Sequence, residues 1–139
     1  LVRAFVVALE NIRKEKIQNR ISRHRLQAQA NRLAFAEMDL SMSPRIDDYS
    51  NYSNTVTVVS LPDPISSNSS DFFKSIKQRN VTASGGHAHL KDLILRMSNM
   101  GDLSPEQVLR GIRTIGEALN DCGIETDIDS ALDIAEKTL

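Results

Sequence analysis

Residues 1–40 contain neither proline nor glycine, whereas residues 41–84 hold three of the chain's four prolines, Pro44, Pro62 and Pro64. No other feature limits the fold as strongly. Leu1–Leu40 is dominated by Ala, Leu, Arg, Gln, Glu and Lys, which lose little rotamer freedom in a helix, so one long helix is predicted there. A seven-residue series, Phe5, Ile12, Asn19, Leu26, Leu33 and Leu40, runs along it. The positions three residues later, Ala8, Glu15, Ser22, Gln29 and Ala36, are too polar for a self-sufficient coiled coil. Such a helix is expected to touch several neighbours, or to bend.

After Leu40 the composition turns to Ser, Asn and Pro, with runs such as Tyr49-Ser50-Asn51-Tyr52-Ser53-Asn54 and Ser66-Ser67-Asn68-Ser69-Ser70. Segments of this kind bury too little apolar surface to offset their ordering entropy, which predicts an extended linker or arm over residues 41–84. Within it, Thr55–Leu61 alternates β-branched residues and stops at Pro62-Asp63-Pro64, the signature of one short strand with no adjacent hairpin mate. Asp71–Arg79 suits two helical turns, capped by Ser70 or Asp71, with Phe72, Phe73 and Ile76 on one side.

Beyond Gly85-Gly86 three short helices are expected, forming a bundle over residues 85–139. Leu90, Leu93, Ile94 and Met97 fall at i, i+3, i+4, i+7, one buried stripe. Ser104-Pro105-Glu106-Gln107 reads as a helix start, with Ser104 as N-cap, Pro105 at the first position and Gln107 closing a capping box. Asp127 or Asp129 would cap the last helix, whose apolar set is Ala131, Leu132, Ile134, Ala135 and Leu139. The predicted fold class is therefore mostly α, with a long N-terminal helix, an extended Ser/Asn/Pro-rich arm carrying one short strand, and a small C-terminal three-helix bundle.

Few residues carry chemistry in a recognisable spacing. His87 and His89 are two apart at a predicted helix start, where their side chains diverge by about 200°, so they do not make a shared metal site. The acids Asp121, Glu125, Asp127, Asp129 and Asp133 lack the central Gly and closing Glu of a calcium loop. One cysteine, Cys122, excludes an intrachain disulfide and favours a reducing compartment. No cofactor, catalytic set or metal site is predicted. The longest apolar run, Ala4–Leu9, is far short of the roughly 20 residues that cross a bilayer. The start at Leu1 rather than Met suggests a processed or truncated chain.

Charge is unevenly spread: Leu1–Ala36 has eight Lys/Arg against two acids, and Gly101–Leu139 has nine acids against three Lys/Arg. Arg13, Lys16, Arg20, Arg23 and Arg25 form the candidate contact band for phosphates or an acidic partner. Val56, Val58 and Val59 are the candidate segment for adding a strand to a partner's sheet. Together these features predict a non-enzymatic structural component docking on neighbouring protein subunits of a larger, multimeric complex, such as a virion, phage particle or secretion machine. The alternative is a nucleic-acid-binding packaging or regulatory factor working through the basic helix; a membrane surface fits that helix less well. An intracellular or virion-associated location is favoured. An enzyme is the third option, because a site assembled from distant residues leaves no short motif.

Overall fold

The computed structural model describes residues 2–139. The chain runs α1 (Val2–Glu15), α2 (Ile17–Glu37), β1 (Val56–Ser60), α3 (Asp63–Ser66), α4 (Ser70–Gln78), β2 (Ser84–Gly85), β3 (Ile94–Ser98), α5 (Pro105–Asp121) and α6 (Ile128–Thr138). The three strands form an antiparallel sheet in the order β1-β3-β2. The chain is mostly helical, as its composition predicts, yet its detailed arrangement departs from the expected one in four places.

The first departure is a corner in the long helix. Lys16 takes φ 69°, a left-handed value, and separates α1 from α2. A lysine is strained there, and the surroundings compensate. Glu15 accepts from Arg20 Nε at 2.9 Å and from Arg23 Nε at 2.7 Å, while Asn19 Nδ2 donates to the Glu15 carbonyl at 2.9 Å. Arg20 also reaches Asp102 at 2.7 Å and Arg23 the Gly101 carbonyl at 2.9 Å, tying the corner to the loop before α5. The bend expected from an irregular apolar face is thus a specific ion-paired corner.

Secondly, the seven-residue series is not the inward face of α2. Leu26 and Leu33 are exposed, and the buried row is Gln27, Ala28, Ala30, Asn31, Ala34 and Phe35. This row packs most extensively on α6, whose buried residues Ala131 and Ala135 are also small. Two alanine-lined helices approach closely, so the interior is set by small side chains rather than by leucines. Ser130 Oγ donates to Glu37 Oε1 at 2.7 Å, joining the start of α6 to the end of α2.

Thirdly, residues 41–84 are not an extended arm. Val59, Leu61, Ile65, Phe72 and Ile76 belong to the same buried cluster as Phe35, Leu95, Ile112, Ile115 and Leu119. Burial of each such large side chain contributes roughly 1.5–3 kcal/mol, which offsets the ordering entropy that the surrounding Ser and Asn residues cannot. A clamp holds α4 on α5: Arg79 bonds Glu117 at 2.8 Å and Asp121 at 2.9 Å, and Ser75 Oγ donates to Asp121 at 2.6 Å. Ser69, rather than Ser70 or Asp71, stands at the N-cap of α4.

Finally, the predicted helix through Leu90–Met97 is strand β3, so the C-terminal part is a strand and two helices, not a three-helix bundle. A short apolar run is ambiguous by periodicity alone, and here pairing decides it. Val56, Val58 and Ser60 of β1 stand opposite Ser98, Arg96 and Ile94 of β3. Buried Asn99 continues the link: its Nδ2 donates to Thr57 Oγ1 at 3.1 Å, and its Oδ1 accepts from Asn31 Nδ2 at 2.6 Å. The capping box at Ser104 and the Asp127 cap both form as expected, with Gln107 N donating to Ser104 Oγ and Ser130 N to Asp127 Oδ1.

Candidate functional site

The sheet has two unlike faces. Alternation along β1 and β3 turns Thr57, Val59 and Leu95 toward the helices, where all three are buried. The opposite face presents Val56, Val58, Arg96, Ser84 and Ser98, which are half-buried or exposed, with half-buried Ser60 and buried Ile94 at one end. The first side joins the buried cluster, and the second keeps solvent access around Arg96.

Arg96 stands at the centre of that open face, on the middle strand, with Val58 of β1 and Ser84 of β2 as its in-register neighbours. Its Nε donates to the Gly85 carbonyl at 2.8 Å. Among the described residues no carboxylate lies within ion-pair distance of it, whereas Arg20, Arg23 and Arg79 are all paired with acids. A half-buried guanidinium held through one nitrogen, with its remaining donors uncommitted to protein acids, is chemically a receptor for an external carboxylate or phosphate. Arg32 is the other half-buried arginine outside the ion pairs. It is committed to the protein, donating to the Ser53 carbonyl at 3.2 Å and lying over the Tyr52 ring at 5.7 Å.

The connection from β2 to β3 borders Arg96 and is tightly folded. Gly86 has no room for a side chain, since a β-carbon would run into the Leu90 carbonyl. A 3-10 turn at Ala88–Leu90 follows, and the connection is anchored by Ser69 Oγ on Asp92 and by Leu61 N on the Leu93 carbonyl at 2.9 Å. The two glycines therefore serve close packing. His87 is extended and, like His89, exposed. Among the described residues no three His, Cys, Asp or Glu side chains converge as a metal site would require. Burial and nearby acids push the Cys122 thiol up, away from nucleophilic use.

The residues singled out from sequence are distributed differently. Arg20 and Arg23 are absorbed by Glu15 and Asp102, leaving Arg13, Lys16 and Arg25 exposed. Val59 lies in the core, and Val56 and Val58 line the open face beside Arg96. Their strand already has neighbours on both sides: β3 on one, and on the other Ser43 N donating to the Val58 carbonyl at 2.9 Å and Ser60 N to the Ser41 carbonyl at 2.8 Å. Arg96 itself escaped notice. Its signal is a single charge inside the apolar run Leu93-Ile94-Leu95-Arg96-Met97.

No family model matches the chain. It is 29% identical over 140 residues to an uncharacterised aminotransferase of Methanocaldococcus jannaschii, a match covering all of this chain and 35% of that protein. Among solved structures, the pyridoxamine-pyruvate aminotransferase of Mesorhizobium loti matches 95% of this chain and 33% of its own, at 25% identity and a TM-score of 0.86. The ureidoglycine-glyoxylate aminotransferase of Bacillus subtilis matches 93% of this chain and 33% of its own, at 22% identity and a TM-score of 0.81, a likeness of fold. The chain thus spans about a third of the length of these relatives.

These findings overturn the expectation of a non-enzymatic structural component of a virion or similar assembly, docking on neighbouring subunits. The proteins that share the fold and sequence are aminotransferases, which points to an enzyme. The expectation failed because it took residues 41–84 for an arm shaped by outside surfaces, when they help to build this chain's own core.

Proposed function

We propose that this chain is the substrate-carboxylate-recognising part of an aminotransferase-like enzyme, with Arg96 as the group that binds the carboxylate of an amino acid or 2-oxo acid. The observation that carries the proposal is Arg96 itself, half-buried on an open sheet face with no acid partner and fastened by Nε to Gly85. The two structural neighbours are named for pyruvate and glyoxylate, which are 2-oxo acids, and each bears a carboxylate of the kind a guanidinium fork accepts.

Amino-group transfer ordinarily relies on a pyridoxal-type carbonyl cofactor that acts as an electron sink and is anchored by a lysine. All six lysines of this chain are exposed, so its residues do not fit that group. The part left to this chain is binding and orientation. Two hydrogen bonds from one planar guanidinium fix a carboxylate in position and in rotation, which places the neighbouring carbon for reaction. Val58 on one side and Ser84 on the other offer a small, partly apolar surround, with no second cation among the in-register neighbours.

Replacement Arg96→Gln in the intact enzyme tests the reading. The expected result is a KM for the 2-oxo acid raised by about tenfold or more with a smaller change in kcat, the pattern of lost uniform binding. An unchanged KM would refute it.

A further inference from the structure

A guanidinium can receive a carboxylate along either of two edges, end-on through Nη1 and Nη2 or side-on through Nε and one Nη. Which edge is presented depends on what holds the arginine. We infer that Gly85 is a positioning residue: its carbonyl occupies the Nε of Arg96 and so presents the end-on edge to the substrate. The inference rests on the reading of Arg96 as the carboxylate receptor and concerns how that receptor is aimed.

Three observations support it. The bond from Arg96 Nε to the Gly85 carbonyl is 2.8 Å, a good hydrogen-bond length, and it consumes the one donor the side-on edge requires. Gly85 is pressed against the Phe73 ring, since a β-carbon would stand 3.2 Å from Cε2 and 3.3 Å from Cζ. Phe73 is half-buried, and its ring meets that of fully buried Phe72 edge-on, with centroids 5.3 Å apart, so a shift of the ring away from residue 85 disturbs that contact. β2 is a two-residue strand at the sheet edge, paired on one side alone, and yields more readily than the central strand β3. A methyl group at residue 85 therefore moves the carbonyl, and the carbonyl moves Arg96.

The geometry separates this role from ordinary packing by predicting rescue. In the intact protein, Gly85→Ala is expected to weaken pyruvate binding by about three- to tenfold, as the fork turns away from its productive orientation. Phe73→Leu alone is expected to have little effect, and Gly85→Ala combined with Phe73→Leu to recover most of the affinity. Phe73→Trp presses on Gly85 from the other side and should weaken binding without altering residue 85. Each dissociation constant is read by titration calorimetry, together with the hydrogen exchange of the Arg96 Nε–H by NMR, which Gly85→Ala should accelerate and the double variant restore.

Arg96→Gln is measured beside them. If it weakens pyruvate binding while Gly85→Ala and Phe73→Trp do not, or if Phe73→Leu fails to rescue Gly85→Ala, the positioning role of Gly85 is overturned and the receptor role of Arg96 stands. If Arg96→Gln leaves pyruvate binding unchanged, the receptor role fails and the positioning role falls with it.

Discussion

Asn99 offers the sharpest quantitative check on the fold that presents Arg96. It follows β3 directly, is fully buried, and joins α2 to the sheet by donating to Thr57 Oγ1 at 3.1 Å and accepting from Asn31 Nδ2 at 2.6 Å. Asn99→Ala strands two buried polar groups, the Asn31 amide and the Thr57 hydroxyl. A buried group left without its partner costs about 1–3 kcal/mol, so the single replacement is expected to lose roughly 2–6 kcal/mol. The apolar pair Asn31→Leu with Asn99→Leu should lose less than Asn99→Ala, because it removes both amides and leaves only the Thr57 hydroxyl unpaired. Urea unfolding of the wild type, the single variants and the double variant gives the coupling directly, provided the slopes agree. A loss below about 0.5 kcal/mol for Asn99→Ala would place it among inconsequential surface changes and refute the reasoning.

Two other outcomes follow from local chemistry. Ser104→Ala removes the acceptor for Gln107 N at the start of α5 and is expected to cost about 1 kcal/mol, measured as a lower urea midpoint with an unchanged slope. At the corner of α1 and α2, the hydrogen bond from Arg23 holds the Glu15 carboxyl below its ordinary value, and Arg20 does the same for Asp102. Lowered carboxyls stabilise the folded state above their unfolded pKa and lose that contribution as pH falls through the folded ones, so the corner should loosen on acidification below about pH 4. The protection of α1 amides, taken relative to the intrinsic exchange rate at each pH, should fall in that range in the wild type, and Glu15→Gln should show the lower protection already at neutral pH; unchanged protection in the wild type would contradict the ion-paired corner.

What was legible in the sequence was what neighbouring residues decide among themselves. The Ser104 capping box, the Asp127 cap and the short helix carrying Phe72 and Ile76 all depend on contacts within a few positions, and all are present. What was not legible depends on partners far along the chain. Thr55–Leu61 reads as a strand with no mate because its mate, β3, lies on the other side of α4 and reads as a helical stripe. The Ser/Asn-rich stretch reads as an arm because its buried residues, Val59, Leu61, Ile65, Phe72 and Ile76, are thinly spaced among polar ones and gain their value from distant elements, α2, β3 and α5. The alanines of α2 and α6 carry no hydrophobic signal comparable to Leu26 and Leu33, yet they are the ones inside. Arg96 is intelligible only once the strand has a covered face and an open one.

The proposed role of Arg96 is to receive a 2-oxo acid carboxylate on the open face of the sheet. A crystal structure of the intact protein with pyruvate bound tests it most directly. Both carboxylate oxygens are expected at about 2.7–2.9 Å from Nη1 and Nη2 of Arg96, with Nε still on the Gly85 carbonyl. Pyruvate bound with its carboxylate on other residues, and Arg96 untouched, would contradict it.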